Sequence, residues 1–581
     1  MRYIYFSLFF AALTLSVNAK SKLKSQSYSE VVTHFFKVYD LSSNEKPSQM
    51  VFEKRPEGYV AVLKDSRLEQ ELSRQLFWSN KKKKYLSLDF PKGVTEEEGL
   101  ETLFLEDWKI RNYDLNPCFG YRSWASDVVT FLEATKNKTE DQWYSLGRAY
   151  SARASDYLHD NSGFADTSLL FHLPGQGQNL LTETQLQRYN IDRQNAIRCF
   201  DQIIAVNSNY PCIVGSIVEK RDNEYMTWYL DLSIYQNEEV AKSQVPRNLY
   251  VSHLYDFALN ILNSCEENAV LVTNGDNDTY PLLYLQKIKG IRNDVAILNS
   301  SLLNTSVYIN YVCREYALKH TILPEFHANK KFSYALIDAS LESVVVPALL
   351  SKVQEGGDEV KVLPQDVRLM RGGDTCLISA TKHYVLLNSL VLLDVIDANK
   401  DDRPINFMSN QTLNLKEYLS MSGVLYTFTA LTKEAEQEAL YHFIKNTFVL
   451  DQRPVSNSSF ERELAMYQMM FGNYLQLSLA SGDRQYVDDV LAVYLATFEK
   501  TLPLSAYYEL LMAKLSFELK NQNVGKECAD RFLNIMYAKQ RGDGFDEFDL
   551  DIIAYAKYYV GPILDKVDSF LGKKLNALNP E

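Results

Sequence analysis

Residues 274–281 form the run of side chains best suited to binding chemistry in this sequence. Asp276 and Asp278 supply carboxylates, and Asn274 and Asn277 supply amide groups. Side chains two positions apart in an extended loop can point the same way, so both carboxylates can meet one divalent cation, which prefers oxygen ligands. The same groups can instead pair with adjacent sugar hydroxyls. The run is therefore a candidate ligand site, with Asp276 and Asp278 as its candidate metal ligands.

A purely structural interpretation explains part of the same run. Asn277, Asp278 or Thr279 is a suitable N-cap for a following helix, and Pro281 suits the first helical turn. Asp276 is the residue that capping explains least. Three alternatives stay open at this point, namely ligand binding, catalysis with or without a metal ion, and a capping role without any ligand.

Apolar segments on both sides of this run predict the elements that position it. Residues 269–273 are predicted to form a strand, residues 282–289 a helix and residues 294–298 a second strand. A strand, a helix and a strand in this order form a βαβ unit, whose two strands are parallel. Ligands of open α/β sheets lie at the carboxyl ends of such strands, which is where the acidic run falls.

Two further polar loops are expected at the same edge of the sheet. Asn299, Ser300 and Asn304 follow the second predicted strand, and Asn410 follows a third strand predicted at residues 404–408. Right-handed connections place all three strand ends on one side. We therefore expect these loops to converge with the acidic run at the edge of a small, Rossmann-like parallel sheet.

The segment before this domain predicts a mixed region followed by paired helices. Residues 20–125 contain a helix predicted near residues 28–39, strand-like runs at residues 58–63 and 85–90, and a second helix predicted at residues 68–78. Residues 126–246 contain a tetratricopeptide-like helical region that an inserted loop interrupts. Its pattern consists of large side chains and one glycine that permits close helix contact, here Trp143, Leu146, Gly147, Tyr150, Ala196 and Phe200.

Residues 431–581 predict an array of helical repeats. Helices predicted at 461–480 and 486–501 form one hairpin, and helices predicted at 505–519 and 525–537 form another. Hairpins that recur after about 40 residues are typical of helical repeats, which bury their apolar faces and bind peptides or proteins. We therefore expect a protein or peptide partner for these helices.

The composition excludes several classes of function. The 581 residues carry a net charge of -13, which disfavours nucleic acid as a partner because phosphate binding needs a basic surface. Seven cysteines are scattered without a CxxC motif, and eight histidines show no metal-ligand spacing. We recognise no nucleophile motif and no phosphate-binding or dinucleotide-binding loop. We therefore expect no resident cofactor, apart from a divalent cation as a candidate at the acidic run.

The N-terminus predicts export. Arg2 supplies a positive charge, residues 4–17 form an apolar run, and residues 17–19 form a small-x-small cleavage site. Removal of a signal peptide of residues 1–19 leaves a mature chain that begins at Lys20. Later segments contain no apolar run of about 20 residues, the length that a spanning helix needs. We expect a mature chain that does not span the membrane and lies in the periplasm, with secretion or the cell surface as alternatives.

Residues 273–286, together with residues 291–295, 299–305 and 403–407, resemble the signature of an uncharacterised bacterial family. Its members are large multi-pass membrane proteins related to protein O-mannosyltransferases. The resemblance covers residues 247–540, which correspond to the family's soluble, exported C-terminal half and its helical repeats. The membrane half, which holds the glycosyltransferase-like fold, has no counterpart here. The resemblance therefore implies the role of the soluble half and not glycosyl transfer.

These observations predict an α/β plus all-α protein. A small Rossmann-like domain at residues 247–430 lies between tetratricopeptide-like helical regions, after a small α+β N-terminal region. The first functional hypothesis is an exported, non-catalytic binding or accessory protein that holds protein or glycan partners in envelope protein modification or assembly. The alternatives are a sugar-directed or metal-assisted enzyme at the acidic run, and a purely structural scaffold. The candidate ligand-binding residues are Asn274, Asp276, Asn277, Asp278, Asn299, Ser300, Asn304 and Asn410.

Overall fold

The computed structural model describes most of the chain. The described residues are 26–41, 48–65, 71–93, 100–111, 113–121, 123–159, 181–250, 252–321, 334–355, 361–371, 374–429, 431–450, 460–498, 504–542 and 544–578. The predicted signal peptide, residues 1–19, and the expected mature start at Lys20 lie outside these ranges. The chain divides into two compact units, one of residues 1–166 and 185–202 and one of residues 167–184 and 203–581.

The first unit begins with a helix and an antiparallel sheet. These elements are α1 Tyr28–Val38, β1 Ser48–Arg55, β2 Gly58–Asp65, β3 Glu71–Ser79 and β4 Lys84–Tyr85. The strands pair in chain order, β1-β2-β3-β4. Phe35 of α1 meets Phe52 of β1 and Phe77 of β3 edge to face, with ring centroids 5.2 and 5.5 Å apart. Aromatic packing of this kind joins the helix to the sheet.

The helix predicted at residues 68–78 was wrong, because residues Glu71–Ser79 form strand β3. Leu68, Leu72 and Leu76 recur at helical spacing, which is the pattern that favoured a helix. The segment instead pairs with β2 over most of its length. Cross-strand pairing outweighs local periodicity here, since strand preference depends strongly on the neighbouring strands.

The rest of the first unit is helical. Its helices are α2 Leu100–Arg111, α3 Trp124–Glu133, α4 Glu140–His159 and α5 Glu183–Ile204. Helices α4 and α5 approach closely where Gly147 faces Phe200, since a Cβ atom at Gly147 would lie 2.5 Å from the phenyl ring. The predicted role of this glycine, to permit close helix contact, is confirmed. Arg153 and Asp192 add an ion pair between the same helices, with nitrogen and oxygen 2.6 Å apart.

The second unit begins with a short ribbon and three helices. These elements are β5 Pro211–Cys212, β6 Gly215–Ser216, α6 Ile217–Tyr235, α7 Glu238–Ser243 and α8 Ser252–Ser264. Helix α6 begins with a capping box, in which Ser216 and Glu219 each accept a hydrogen bond from the other's backbone N–H. The first two turns of α6 carry most of its charged residues, at positions 219–222 and 224.

A βαβ unit follows. Its elements are β7 Val270–Thr273, α9 Asp276–Lys287 and β8 Ala296–Asn299, with helix α10 Ser306–Glu315 next. Strands β7 and β8 are parallel and adjacent, from Val270 opposite Ala296 to Thr273 opposite Asn299. Both strands are buried along their whole length, as expected for parallel strands covered on both faces. The predicted order of strand, helix and parallel strand is confirmed.

Two small three-stranded sheets and two helices lie between α10 and the next strand of the main sheet. Their elements are β9 Tyr334–Asp338, β10 Val344–Val345, α11 Val346–Glu355, β11 Val362–Pro364, β12 Asp366–Arg371, β13 Asp374–Ser379, β14 Tyr384–Leu386 and α12 Leu387–Asn399. The two strand orders are β10-β12-β13 and β11-β9-β14.

Three more strands complete the main sheet, β15 Ile405–Phe407, β16 Ser420–Ser422 and β17 Leu425–Thr427. The sheet has the order β16-β17-β15-β7-β8. Strand β15 is parallel to β7, so the expectation of three parallel strands with their carboxyl ends at one edge is confirmed. Strands β17 and β16 continue the sheet in antiparallel orientation, which makes it a mixed sheet and not the purely parallel one expected.

The second unit ends in helices. These are α13 Lys433–Asn446, α14 Glu461–Ser481, α15 Val487–Thr497, α16 Ala506–Glu518, α17 Gln522–Arg541, α18 Glu547–Tyr559, α19 Gly561–Val567 and α20 Ser569–Ala577. The four helices predicted between residues 461 and 537 are confirmed as α14 to α17. Buried tyrosines such as Tyr467 and Tyr494 fill their interfaces. None of the described helices combines the length and apolarity that crossing a bilayer requires.

Candidate functional site

Helix α9 begins earlier than the sequence predicted, directly after strand β7. The N-cap is Gly275, with φ -145° and ψ -172° and no side-chain cap, and Asp276 is the first helical residue. The expected N-caps Asn277, Asp278 and Thr279 therefore lie inside the first turn, and Pro281 lies beyond it. The capping explanation of this run was wrong, so its polar side chains are held in place for other reasons.

The two carboxylates of the run point in different directions. Asp276 and Asp278 lie two residues apart in a helix, where each residue turns by about 100°, so their side chains diverge by about 200°. Asp278 is buried, whereas Asp276 is exposed. The expectation that both carboxylates share one face rested on an extended loop and was wrong. Both still lie in the first turn, where the helix dipole favours negative charge.

Asp278 forms an ion pair with a residue that is distant in the sequence. Arg462, at the start of α14, donates a hydrogen bond from Nη2 to Oδ1 of Asp278. Asp278 is 3% exposed, while the Arg462 side chain is 55% exposed. This ion pair joins the first turn of α9 to the C-terminal helices and uses the Asp278 carboxylate that was proposed as a ligand.

Asn277 forms hydrogen bonds to helix α6 and to the turn that precedes it. Its Oδ1 accepts a hydrogen bond from Nδ2 of Asn223 on α6 at 2.7 Å, and its Nδ2 donates to the carbonyl of Val214 at 2.7 Å. The hydroxyl of Tyr250 donates in turn to Oδ1 of Asn223 at 3.2 Å. Asn277 therefore fixes α9 against α6, and its amide is used by the fold.

Asn299 has a similar structural role at the end of β8. Its Oδ1 accepts the backbone N–H groups of Ser301 and Leu302 at 2.9 and 3.1 Å, and its Nδ2 donates to the Thr279 hydroxyl at 2.9 Å. The Thr279 hydroxyl also lies 2.7 Å from that of Thr273. Asn299 is 2% exposed, so this network shapes the sheet edge from inside.

Asn274 and Ser300 lie at the surface of the same edge. The Ser300 hydroxyl donates to Oδ1 of Asn274 at 3.4 Å, and the Ser301 hydroxyl donates to the Asn274 carbonyl at 2.8 Å. The loops that follow β7 and β8 are therefore in contact, as their position in the sequence predicted. Asn274 is exposed and Ser300 is half-buried, so both remain accessible to a ligand.

The other two candidates have different neighbours. Asn304 accepts the backbone N–H of Asn388 at 3.0 Å, which fixes the first turn of α12. Asn410 accepts a hydrogen bond from its chain neighbour Gln411 at 3.2 Å. Among the described residues, no hydrogen bond links Asn410 to the loops after β7 and β8. The third loop shares the sheet edge through β15, but it does not join the polar contacts of the other two.

Asp276 faces an ion pair on helix α6. Lys220 donates a hydrogen bond to Glu224 at 3.1 Å, and Glu224 is 1% exposed. Loss of hydration raises the pKa of Asp276, with Glu224 adding to the rise and Lys220 opposing it. The Asp276 side chain therefore lies at a surface where neighbouring groups displace part of its hydration. Within the described part of the chain, the Asp276 carboxylate accepts no hydrogen bond, so it is available to a ligand.

Sequence reasoning missed the charged residues that surround this surface. They come from α6 and α14 and are buried or half-buried in most cases, namely Glu219, Lys220, Asp222, Glu224, Arg462 and Glu463. Burial raises the pKa of Glu463 to about 7. The dense charge between residues 219 and 224, within a helix that is otherwise aromatic and apolar, was a signal in the sequence. These charged residues were included in the predicted helical region 126–246, and no contact between them and the acidic run was predicted.

The geometry does not bring the candidate metal ligands together. Asp276 and Asp278 diverge, and Asp278 is occupied by Arg462. In the described ranges, no group of three or more His, Cys, Asp or Glu side chains is arranged to hold a metal ion. This sheet edge offers the accessible carboxylate of Asp276, and also the amide of Asn274 in contact with the hydroxyl of Ser300, groups that suit hydrogen bonding to a polar ligand.

Comparison with known proteins finds a similarity over the segment that holds most of this site. The sequence model of a family described as TMEM260-associated domain 2 matches residues 254–340. The matched segment runs from α8 through β7, α9 and β8 to β9, so it contains every candidate site residue except Asn410. No curated protein and no solved structure matches the chain. The α6 residues near Asp276 and the α14 residues near Asp278 lie outside the matched segment.

Proposed function

We propose that this chain is an exported, non-catalytic binding protein whose site lies at the start of α9, between α6 and the loop after β8. The ligand is a hydroxyl-rich one, a glycan or a glycosylated segment of a partner protein. One observation carries the proposal. Among the acidic and amide side chains that follow β7, Asn277 and Asp278 are used by the fold, whereas Asp276 keeps an accessible carboxylate without a hydrogen bond from any described residue.

The neighbours of Asp276 suit sugar hydroxyls. A carboxylate accepts hydrogen bonds from two adjacent hydroxyls, while the Asn274 amide and the Ser300 hydroxyl both donate and accept. Asn274 and Ser300 already lie within 3.4 Å of each other. Hydrogen bonds to a charged group are stronger than neutral ones, so Asp276 supplies the largest part of the interaction.

The wider architecture supports an accessory role in envelope protein modification or assembly. We propose that α4 with α5, and the hairpins from α14 to α17, are tetratricopeptide-like and hold a polypeptide, and that the parallel part of the main sheet is Rossmann-like. The resemblance of residues 247–540 to a family related to protein O-mannosyltransferases is what favours glycosylated partners in this proposal. Because residues 1–19 are predicted to form a signal peptide, we propose that the protein acts in the periplasm.

Binding to immobilised glycans tests the proposal. The mature chain is applied to arrays of mannose-containing and other envelope glycans, together with an Asp276→Asn variant. We expect saturable binding that Asp276→Asn weakens by about tenfold, the loss of one charge-assisted contact. Asp551→Asn is the matched control, because Asp551 is an exposed helical aspartate of α18. Equal binding by wild type and Asp276→Asn, or no binding to any glycan, overturns the proposal.

The raised pKa values of two carboxyl groups favour a second candidate function, that of an enzyme. A carboxyl group whose pKa approaches neutrality suits general acid or base catalysis, and burial raises the pKa of Glu463 to about 7. Loss of hydration also raises the pKa of Asp276. The same bound glycans distinguish the two candidates. Release of a product from a bound glycan by wild type, but not by Asp276→Asn, favours the sugar-directed enzyme. If Asp276→Asn and Asp278→Asn leave binding and turnover unchanged, the scaffold alternative is favoured.

A further inference from the structure

A separate cavity lies in the second unit, between helices α11 and α12 and the two small sheets. Its volume is about 390 Å³, which falls within the range of about 300–1,000 Å³ for small-molecule sites. All but one of its lining residues lie beyond the C-terminal end of the segment that matches TMEM260-associated domain 2. The site around Asp276 contributes none of them.

The buried part of the cavity wall is largely aliphatic. Six of its lining side chains are branched hydrocarbons that are at most 7% exposed, namely Leu349, Leu363, Val367, Ile378, Leu390 and Leu393. Polar ligands gain nothing from such walls, because they lose their hydration and find no hydrogen-bonding partner. The walls therefore favour a hydrocarbon group.

Among the described residues that line the cavity, Lys382 is the one that carries a positive charge. Lys382 lines the rim and is exposed. Its Nζ lies 5.7 Å from the centre of the Tyr384 ring, and it forms no hydrogen bond or ion pair with any described residue. Lys400, at the end of α12, is by contrast paired with Asp397 at 2.9 Å. Lys382 is therefore available to neutralise an anionic group that stands at the opening.

A turn with left-handed backbone also lines the cavity. Leu413 and Asn414 have φ values of 53° and 55°, a left-handed conformation that is unusual for a branched residue such as leucine. Asn414 donates to the Ser379 carbonyl at 3.3 Å, which ties this turn to β13. Strained backbone of this kind is concentrated at ligand sites. Gln411 and Asn414 also line the cavity, so amide-bearing residues contribute to its wall along with Lys382.

We propose that this cavity binds a single-chain aliphatic carboxylate, with the chain among the leucine, valine and isoleucine side chains and the carboxylate at Lys382. At about 30 Å³ for each small group, 390 Å³ holds a chain of about ten to twelve carbons with its head group. A two-chain phospholipid exceeds this volume, and a single lysine suits a monoanion better than a phosphate dianion. The inference is independent of the glycan site at Asp276.

Titration calorimetry with the mature chain tests this assignment. The probe is sodium decanoate below its micelle concentration, compared with decyltrimethylammonium, which has the same chain and the opposite charge. We expect saturable one-to-one binding of decanoate that is at least about tenfold tighter than that of the ammonium compound. Equal affinity for the two compounds, or no saturable binding of decanoate, overturns the assignment.

Variants at the rim and in the cavity separate specific binding from adsorption. Lys382→Gln should weaken decanoate binding about tenfold, whereas Lys352→Gln, at an exposed lysine of α11, should leave it unchanged. Ser389→Trp should abolish binding by filling the cavity. If Ser389→Trp does not fold, the comparison of the two lysines still decides. Equal effects of Lys382→Gln and Lys352→Gln overturn the assignment.

Discussion

Arg462 donates a hydrogen bond to the carboxylate of Asp278, a residue 184 positions earlier in the chain. The two ends of this ion pair differ in their surroundings, since Asp278 is 3% exposed and the Arg462 side chain is 55% exposed. A buried carboxylate thus depends on a cation that is largely in water. Removing the cation leaves a buried charge without compensation, whereas removing the carboxylate leaves an arginine that solvent can hydrate.

This asymmetry predicts that Arg462→Gln destabilises the protein more than Asp278→Asn does. We expect Arg462→Gln to lower the free energy of unfolding by about 1–3 kcal/mol, the cost of a buried group that has lost its partner. Asp278→Asn should cost less than half as much. Urea denaturation at neutral pH measures both. Arg484→Gln is the control at an exposed arginine and should change stability by no more than about 0.5 kcal/mol. Equal losses for Arg462→Gln and Asp278→Asn would contradict the prediction.

Asn299 and Asn274 should respond differently to truncation, although the sequence proposed both as ligand-binding residues. Asn299→Ala removes the acceptor for two backbone N–H groups and a donor to Thr279, so we expect a loss of about 1–3 kcal/mol. Asn274→Ala removes one long contact at an exposed position and should cost no more than about 0.5 kcal/mol. Thermal and urea unfolding of the two variants measure this difference. A stable Asn299→Ala variant would mean that its buried network does not support the fold.

The parts of the fold that could be predicted are those that depend on local patterns. Strands β7, β8 and β15 are short apolar runs bounded by polar loops, and their parallel order follows from the connecting helix. The helices between residues 461 and 537 follow from long periodic segments and turn residues between them. Strand β3 could not be predicted in this way, because its conformation depends on pairing with β2 and its own leucines repeat at helical spacing.

The candidate site was harder to predict than the fold, because the role of each side chain depends on a partner that is distant in the sequence. Asn277 accepts a hydrogen bond from Asn223, and Asp278 accepts one from Arg462. Neither partner lies near them in the sequence. An asparagine or aspartate after a strand has the same appearance whether it binds a ligand, caps a helix or joins two elements. Only its three-dimensional neighbours distinguish these roles. They leave Asp276 as the accessible carboxylate of the run.

Gly147 should be intolerant of substitution, even though alanine favours helices by up to about 1 kcal/mol over glycine. A Cβ atom at Gly147 would lie 2.5 Å from the Phe200 ring. We expect Gly147→Ala to destabilise the protein by about 1–3 kcal/mol, the usual cost of overpacking. Calorimetric or urea unfolding measures this change.

A double-mutant cycle shows whether the cost at Gly147 arises from Phe200. In a Phe200→Leu background the ring is absent, so Gly147→Ala should lose most of its penalty, with a coupling energy of about 1 kcal/mol or more. If Gly147→Ala costs the same in both backgrounds, the close approach of α4 and α5 at this point is not the cause.

Glu463 lies in the most unfavourable electrostatic environment near the candidate site. It is 3% exposed, and its Oε2 has no hydrogen-bonding partner among the described residues. Burial raises its pKa from 4.5 to about 7, and the nearby carboxylates of Glu219 and Asp278 add to this rise, while Arg462 opposes it. The folded protein therefore holds this proton more tightly than the unfolded chain does.

This pKa difference predicts a stability that falls as the pH rises. The contribution of Glu463 is fully present below pH 4.5 and is lost as the pH rises through about 7. Glu463→Gln removes the ionisation, so the variant should gain stability over wild type between pH 5 and pH 8, by up to about 3 kcal/mol. Urea unfolding at a series of pH values measures the difference, and Glu461→Gln, at an exposed residue of the same helix, should show none. A difference between Glu463→Gln and wild type that does not change with pH would mean that Glu463 is already ionised in the folded protein.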